Sequence, residues 1–302
     1  NPILQTGLSA LNTAGDERQP VHVREAALQA AKGYLEAAHD ISPTYLAGDL
    51  LSQVYLAEGD SLRALEMLTE SINAYKSAPP DDADLLMAYV FFRKALIERF
   101  MLHDHGLALS TIHDGQQLLK SEYERAGDAP GPALKQSFEN GMKDLTGFEL
   151  DIYLNDPSLR DIAIGRFREV IVTYPGDYDI HLAYATLLEK EDPLLAIDAY
   201  ETAISLDESR DLAFFNIAAL YNNLGSDYYG EGLAAGNQAA ADSLFHEADQ
   251  CFRKAYIYME EAHRLNPGAL ETIRALIQLA TTLGLDEKAE YYIRKEEEIL
   301  NN

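Results

Sequence analysis

Residues 51–68 read LSQVYLAEGDSLRALEML. Leu51 and Tyr55 stand four apart, as do Ala64 and Leu68, so each pair falls on one face of a helix. Gly59-Asp60 lies between the pairs, and glycine suits a turn that needs positive φ. The stretch therefore describes two short helices joined by a tight turn, with alanine where the two cross closely.

Working outward from Ala64, the same alanine recurs along the chain. Three copies are followed at +4 by a large apolar residue, at +7 by a small or β-branched one and at +12 by proline: Ala31, Leu35, Ala38, Pro43; Ala163, Phe167, Val170, Pro175; and Ala255, Met259, Ala262, Pro267. Proline cannot continue a helix, so each set is a helix with a packed stripe and a stop. Weaker copies start at Ala64, Ala108, Ala196 and Ala289, and successive anchors lie 33, 44, 55, 33, 59 and 34 residues apart. Three intervals match a helical-hairpin repeat of about 34 residues and three carry insertions. Partner helices are marked by Leu51 and Tyr55, Leu150 and Leu154, Ile217 and Tyr221, and Leu276 and Ala280.

These residues resemble the tetratricopeptide repeat family. Leu51, Tyr55, Gly59, Ala64 and Leu68 carry the best match, and Leu276, Gly284 and Ala289 repeat its offsets in the last unit. Departures are the residue after the first leucine, which is Ser52, Asp151, Ala218 and Ile277, and the missing proline at Lys76, Lys120 and Glu208. The resemblance implies an all-α fold, a right-handed α-solenoid of about seven antiparallel hairpins, formed as one domain over residues 1–302. Hairpins are expected at about 1–42, 44–77, 83–123, 132–174, 177–207, 210–266 and 269–300. It implies no particular activity, because sites are grafted on such folds.

Composition narrows the function classes. The formal charge is −26, from 50 acidic and 24 basic residues, only ten of them lysine. Nucleic acid, whose binding releases counterions from a basic surface, is excluded as the expected partner. The acidity reads as a solvated surface, of a kind that suits salt, or as complementarity to a cationic partner, and nothing in the sequence localises the latter. No apolar run approaches the ~18 residues of a membrane span, and no signal peptide is read. Cys251 is the single cysteine, so no intrachain disulfide forms. The chain begins at Asn1 with no visible tag, which reads as a processed terminus and favours export from a bacterial cytoplasm; a trimmed chain would read the same.

The insertions differ in kind. Residues 78–82 and 125–132 are proline- and glycine-rich loops between repeats. The third lies inside one hairpin: Asn237 can cap a helix running to Leu265, about 28 residues or ~42 Å long. An apolar stripe from Leu244 through Phe245, Ala248, Cys251 and Phe252 to Ala262 requires a partner, for which a prolonged first helix with Leu224, Tyr228 and Tyr229 is the candidate. GEGLAAG, with Gly230, Gly232 and Gly236, reads as a flexible turn. A long hairpin inserted before a final repeat also resembles exported bacterial members of the family.

No catalytic constellation is found, and no cofactor or metal is implied. His103-Asp104-His105, with His113 and Asp114, is the densest set of metal-ligand types, but alternate histidines point apart on a helix and the set reads as a polar turn. The family's peptide groove is lined by the first helix of each hairpin. Carried onto this sequence, its offsets nominate Asp49, Gln53, Phe148, Ile152, Asn155, Phe215, Asn222, Asn223, Arg274 and Gln278. Amides and aromatics of this kind suit an extended peptide, although Phe148, Ile152 and Phe215 equally suit helix packing. The lysine-rich clamp with which some members hold acidic chaperone tails has no counterpart.

The expected function is therefore a non-enzymatic protein-binding scaffold in a larger extracytoplasmic bacterial assembly. The alternative is a structural protein that polymerises head to tail. No charged side chain precedes Asp16, whereas terminal repeats ordinarily present a polar outer face. Leu4, Leu8 and Leu11 can cover the first repeat, while Ile3, Gly7 and Ala10 leave the other face dry. Ile3, Leu4, Leu8 and Leu11 would meet Tyr291, Tyr292 and Ile299 of an identical subunit.

Overall fold

A computed structural model describes residues 1–81, 85–127 and 130–301. The described residues form fourteen α-helices and one 3-10 turn, with no strand. Parts of the two expected interrepeat loops, at 82–84 and 128–129, and the start of the hairpin expected at 83–123 lie outside the described residues. The chain divides into two compact units, Asn1–Asn155 and Asp156–Asn302.

Unit one holds α1 (Pro2–Gly15), α2 (Val21–Ile41), α3 (Tyr45–Ala57), α4 (Ser61–Ser77), α5 (Met87–Phe100), α6 (His105–Arg125) and α7 (Pro132–Asn155). Helices adjacent in sequence pack on each other throughout the unit, and α7 also packs on α5. Unit two holds α8 (Arg160–Thr173), α9 (Tyr178–Leu188), α10 (Pro193–Leu206), α11 (Asp211–Ala234), α12 (Gln238–Leu265), α13 (Leu270–Thr282) and α14 (Asp286–Leu300), again with each helix on its neighbour. The division falls at 155–156, inside the hairpin expected over 132–174. Its first helix has its partners in α5 and α6, and its second in α9.

The repeating alanines are what allow the helices to approach. Ala31, Ala64, Ala108, Ala163, Ala196 and Ala255 are fully buried and Ala289 nearly so. The proline stops act as expected: α2, α8 and α12 end at Ile41, Thr173 and Leu265, two residues before Pro43, Pro175 and Pro267. Gly59 at φ 81° and Gly284 at φ 66° make the tight turns. Four of the acidic residues serve helix starts, where Asp60, Asp104, Asp177 and Asp192 each accept backbone N–H groups and complement the helix dipole.

The long inserted hairpin is α11 with α12. Asn237 caps α12, accepting from the Ala240 N–H at 3.0 Å, and the helix has 28 residues. The GEGLAAG segment is not a turn: α11 runs through Gly230 and Gly232 to Ala234, and only 235–237 reverse the chain. The cause is close packing, since a Cβ on Gly232 would lie 2.7 Å from the Phe245 ring, and one on Gly225 2.8 Å from Phe252. These glycines let two helices touch along the extension.

Candidate functional site

In unit one the first helices of successive hairpins are α1, α3, α5 and α7, and polar side chains of the last three join across helices. Asp49 on α3 forms an ion pair with Arg93 on α5, and Gln53 Nε2 donates to the other Asp49 oxygen at 3.3 Å. Further along α5, Arg99 pairs with Asp151 on α7, which also accepts from Asn155 Nδ2 at 2.9 Å. The Arg99 guanidinium lies 4.7 Å from the Phe100 ring centre and 5.2 Å from that of Phe148. Arg93 Nε is buried with no hydrogen-bond partner within the protein, leaving one donor of this ladder unanswered.

The structure thus ties Asp49 and Gln53 to α5 through Arg93, and Asn155 to α5 through Asp151 and Arg99, two arginines that sequence reasoning missed. Arg93 stands fifteen residues before Ala108, as Asp49 does before Ala64 (108 − 93 = 64 − 49). The same offset would have found it, but position 95, where the repeat has leucine, is Ala95, so α5 shows no pattern to align. Phe148 and Ile152 take the packing role instead: both are buried, with Phe148 and Phe92 ring centres 5.2 Å apart. A residue with no exposed surface, as Ile152 is, offers a ligand nothing to touch.

In unit two the nominated residues sit on α11 and α13. Phe215 is half-buried against the apolar cluster around Ala255 and Leu276. Asn222 is half-buried, while Asn223 and Gln278 are exposed. Arg274 is exposed, and its Nε donates to Glu296 of α14 at 2.6 Å. Beside them Tyr221 stacks on Tyr258 with ring centres 6.0 Å apart, and the Tyr258 hydroxyl donates to Glu201 at 2.6 Å. Burial and that carboxylate push the Tyr258 phenol well above its ordinary pKa, so it acts as a hydrogen-bond donor at neutral pH.

The remaining sequence candidates resolve simply. Asp104 caps α6 through the Leu107 N–H at 2.8 Å, beside His103 at φ 55°, and His113 reaches Glu149 at 3.1 Å. Among the described residues no group of three or more His, Cys, Asp or Glu is placed to hold a metal ion. Cys251 is half-buried, and burial pushes its thiol pKa up, away from a reactive thiolate.

The terminal apolar residues are placed differently from expectation. Gly7 is buried against Leu35 of α2, whose side chain lies 2.7 Å from where a Gly7 Cβ would be. Leu8 is instead exposed at 38%, while Ile3, Leu4 and Leu11 are half-buried. On α14, Tyr291 is 43% exposed, whereas Tyr292 is buried and Ile299 packs on the unit's own cluster. Tyr292 is thus taken up inside its own unit.

Among the described residues no helix is long and apolar enough to cross a membrane. No family model and no curated protein matches the chain. Among solved structures, the assembly chaperone of RpL4 (Acl4, residues 1–338) is similar with a TM-score of 0.50 and 13% identity, covering 96% of this chain and 99% of that one. A TPR repeats protein from Bacteroides fragilis NCTC 9343 gives 0.34 and 14%, covering 91% and 98%. The TPR2AB domain of yeast Sti1, solved as a complex with pHSP90, gives 0.27 and 12%, covering 91% and 99%. At such identities the likeness is one of fold. The fold is tetratricopeptide-like: helical hairpins with buried alanine crossings and glycine turns.

Proposed function

We propose that this chain is a non-enzymatic scaffold that binds an extended segment of a partner protein on its first-helix faces, as part of a larger extracytoplasmic bacterial assembly. The observation that carries the reading is the ladder from Gln53 through Asp49 and Arg93, and from Arg99 through Asp151 to Asn155. Charged pairs between helices are unneeded for packing that buried alanines and leucines already supply, and they offer both donors and acceptors to a peptide backbone. Within unit two, Asn222, Asn223, Arg274 and Gln278 offer amide and charged groups of the same kind. Extracytoplasmic placement is supported only by the resemblance of the inserted hairpin to exported members of the family.

The test is isolation of the native complex, identification of its other chains, and titration of the purified partner against two double variants. Asn222→Ala with Arg274→Ala, and Gln53→Ala with Asn155→Ala, should each weaken binding while leaving helicity unchanged. A partner that binds both variants as tightly as the wild type removes the first-helix faces as its site.

A second reading, head-to-tail self-assembly, is favoured by one observation: α1 carries no charge and exposes Leu8, while α14 exposes Tyr291, Ile293 and Leu300. Such a contact is heterologous and propagates unless its rotation closes a ring. It requires particle size to grow with concentration and deletion of residues 1–12 to abolish the growth. A full-length chain that stays monomeric at high concentration and high salt ends it.

A further inference from the structure

A cavity of about 330 Å³ opens between the α11–α12 extension and the end of α13, lined by Tyr229, Phe245, Ala248, Asp249, Phe252 and Leu283. That is within the roughly 300–1,000 Å³ of small-molecule pockets. Three aromatic rings converge on it. Phe245 and Phe252 are held by their contacts with Gly232 and Gly225, and Tyr229 stands beside Phe245 with ring centres 5.2 Å apart at 44°. Tyr229 is half-exposed, so its ring forms part of the cavity mouth.

The chemistry of this wall selects its occupant. Aromatic faces carry negative potential and attract cations, and Asp249 adds a carboxylate whose side chain is 47% exposed. The surrounding extension is acidic: Asp227, Glu231, Asp242, Glu247 and Asp249 are set against only Arg253 and Lys254. Further along the same pair of helices Lys254 Nζ already sits 4.9 Å from the Tyr221 ring centre. Among the described residues no lysine or arginine lies over Tyr229, Phe245 or Phe252. Asp249 also pairs with Arg253 one helical turn on, Nε to Oδ2 at 2.7 Å and Nη2 to Oδ1 at 3.1 Å, so a cation in the cavity shares this carboxylate with Arg253.

We propose that this cavity binds an alkylammonium group, its methyl or methylene carbons against the three rings and its charge facing Asp249. The same group occurs in a free quaternary amine and in a lysine side chain of a partner, and the test separates them.

Full-length protein is titrated with choline, with its neutral isostere 3,3-dimethyl-1-butanol, and with a short lysine-containing peptide capped at both ends, following amide shifts of Thr282 and Leu283 and binding heat. Choline or the lysyl peptide should bind roughly fivefold or more tightly than the neutral isostere, as cation–π attraction in a partly desolvated site requires. Preference for choline assigns a free amine, and preference for the peptide assigns a protein lysine. Tyr229→Ala and Asp249→Asn, both at half-exposed positions, should each remove that selectivity, whereas Glu231→Gln should keep it. Equal binding of the neutral isostere, no binding of either cation, or unchanged selectivity in both variants overturns the proposal.

Discussion

The Tyr292 hydroxyl on α14 donates to Glu260 on α12 at 3.1 Å, and the same carboxylate oxygen accepts from Tyr256 at 2.8 Å and Lys288 at 3.0 Å. One carboxylate thus clasps the final helix to the long one. Burial alone would raise the Glu260 pKa, but the hydrogen bonds from Lys288, Tyr256 and Tyr292 outweigh it and hold the group below its ordinary 4.5. Burial is also the main reason the Tyr292 phenol is pushed up to about 12, which keeps it a donor.

The sign of the pH dependence follows from that clasp. A carboxyl whose folded pKa lies below its unfolded value adds stability that is present above 4.5 and lost as pH falls through the folded value. Glu260→Gln should therefore cost about 1–2 kcal/mol near neutral pH, and less as the pH falls through the folded value of the carboxyl. His263, edge-on to Tyr292, has its pKa lowered by burial and by Lys295, with the Glu260 charge partly offsetting that shift, so it also loses stability on acidification, and somewhat more so in the variant that lacks the charge. Melting temperatures of wild type and variant, taken from roughly pH 3 up to neutrality so as to span the carboxylate titration, measure the difference. A constant gap refutes the clasp.

The alanine crossings have no room for a larger side chain. Ala163→Leu, Ala196→Leu and Ala255→Leu should each destabilise the chain by about 1–3 kcal/mol, because all three positions are fully buried. Glu297→Gln, on an exposed position, should change stability by less than about 0.5 kcal/mol. Thermal or urea unfolding of the four variants reads this directly, and equal shifts would refute the crossings.

Two helical glycines should respond oppositely to alanine. At Gly48 an added Cβ would lie 3.0 Å from the Met67 carbonyl oxygen, a backbone atom that cannot move aside. Gly165 in α8 has nothing within 4 Å. Gly165→Ala should raise stability by roughly 0.5–1 kcal/mol through helix propensity, and Gly48→Ala should lower it despite the same gain. Shifts of the same sign in denaturant midpoint would show that α3 and α4 are not in close contact there.

The extension depends on its first cap. Asn237→Ala removes the acceptor of the Ala240 N–H and should cost α12 about 1 kcal/mol. The loss should appear as faster amide exchange over the first turns of α12, with α13 and α14 unchanged. Uniform acceleration across unit two would mean that the extension does not open on its own.

The sequence by itself determined the hairpins and their ends. Spacing of four and seven residues places side chains on one face of any α-helix, proline stops a helix wherever it stands, and glycine permits the turns; these are local rules. Hence the anchors Ala31 to Ala289, the stops before Pro43, Pro175 and Pro267, and the Asn237 cap were legible without coordinates. Only the tertiary structure decided which face a neighbouring helix covers. It buried Phe148, Ile152, Tyr292 and Gly7, joined Arg93 to Asp49 and Arg99 to Asp151, and carried α11 through Gly232 because Phe245 packs there. Those outcomes depend on residues 28 to 56 positions away or on an adjoining helix, and a helical period states a direction from the axis without saying what lies in it.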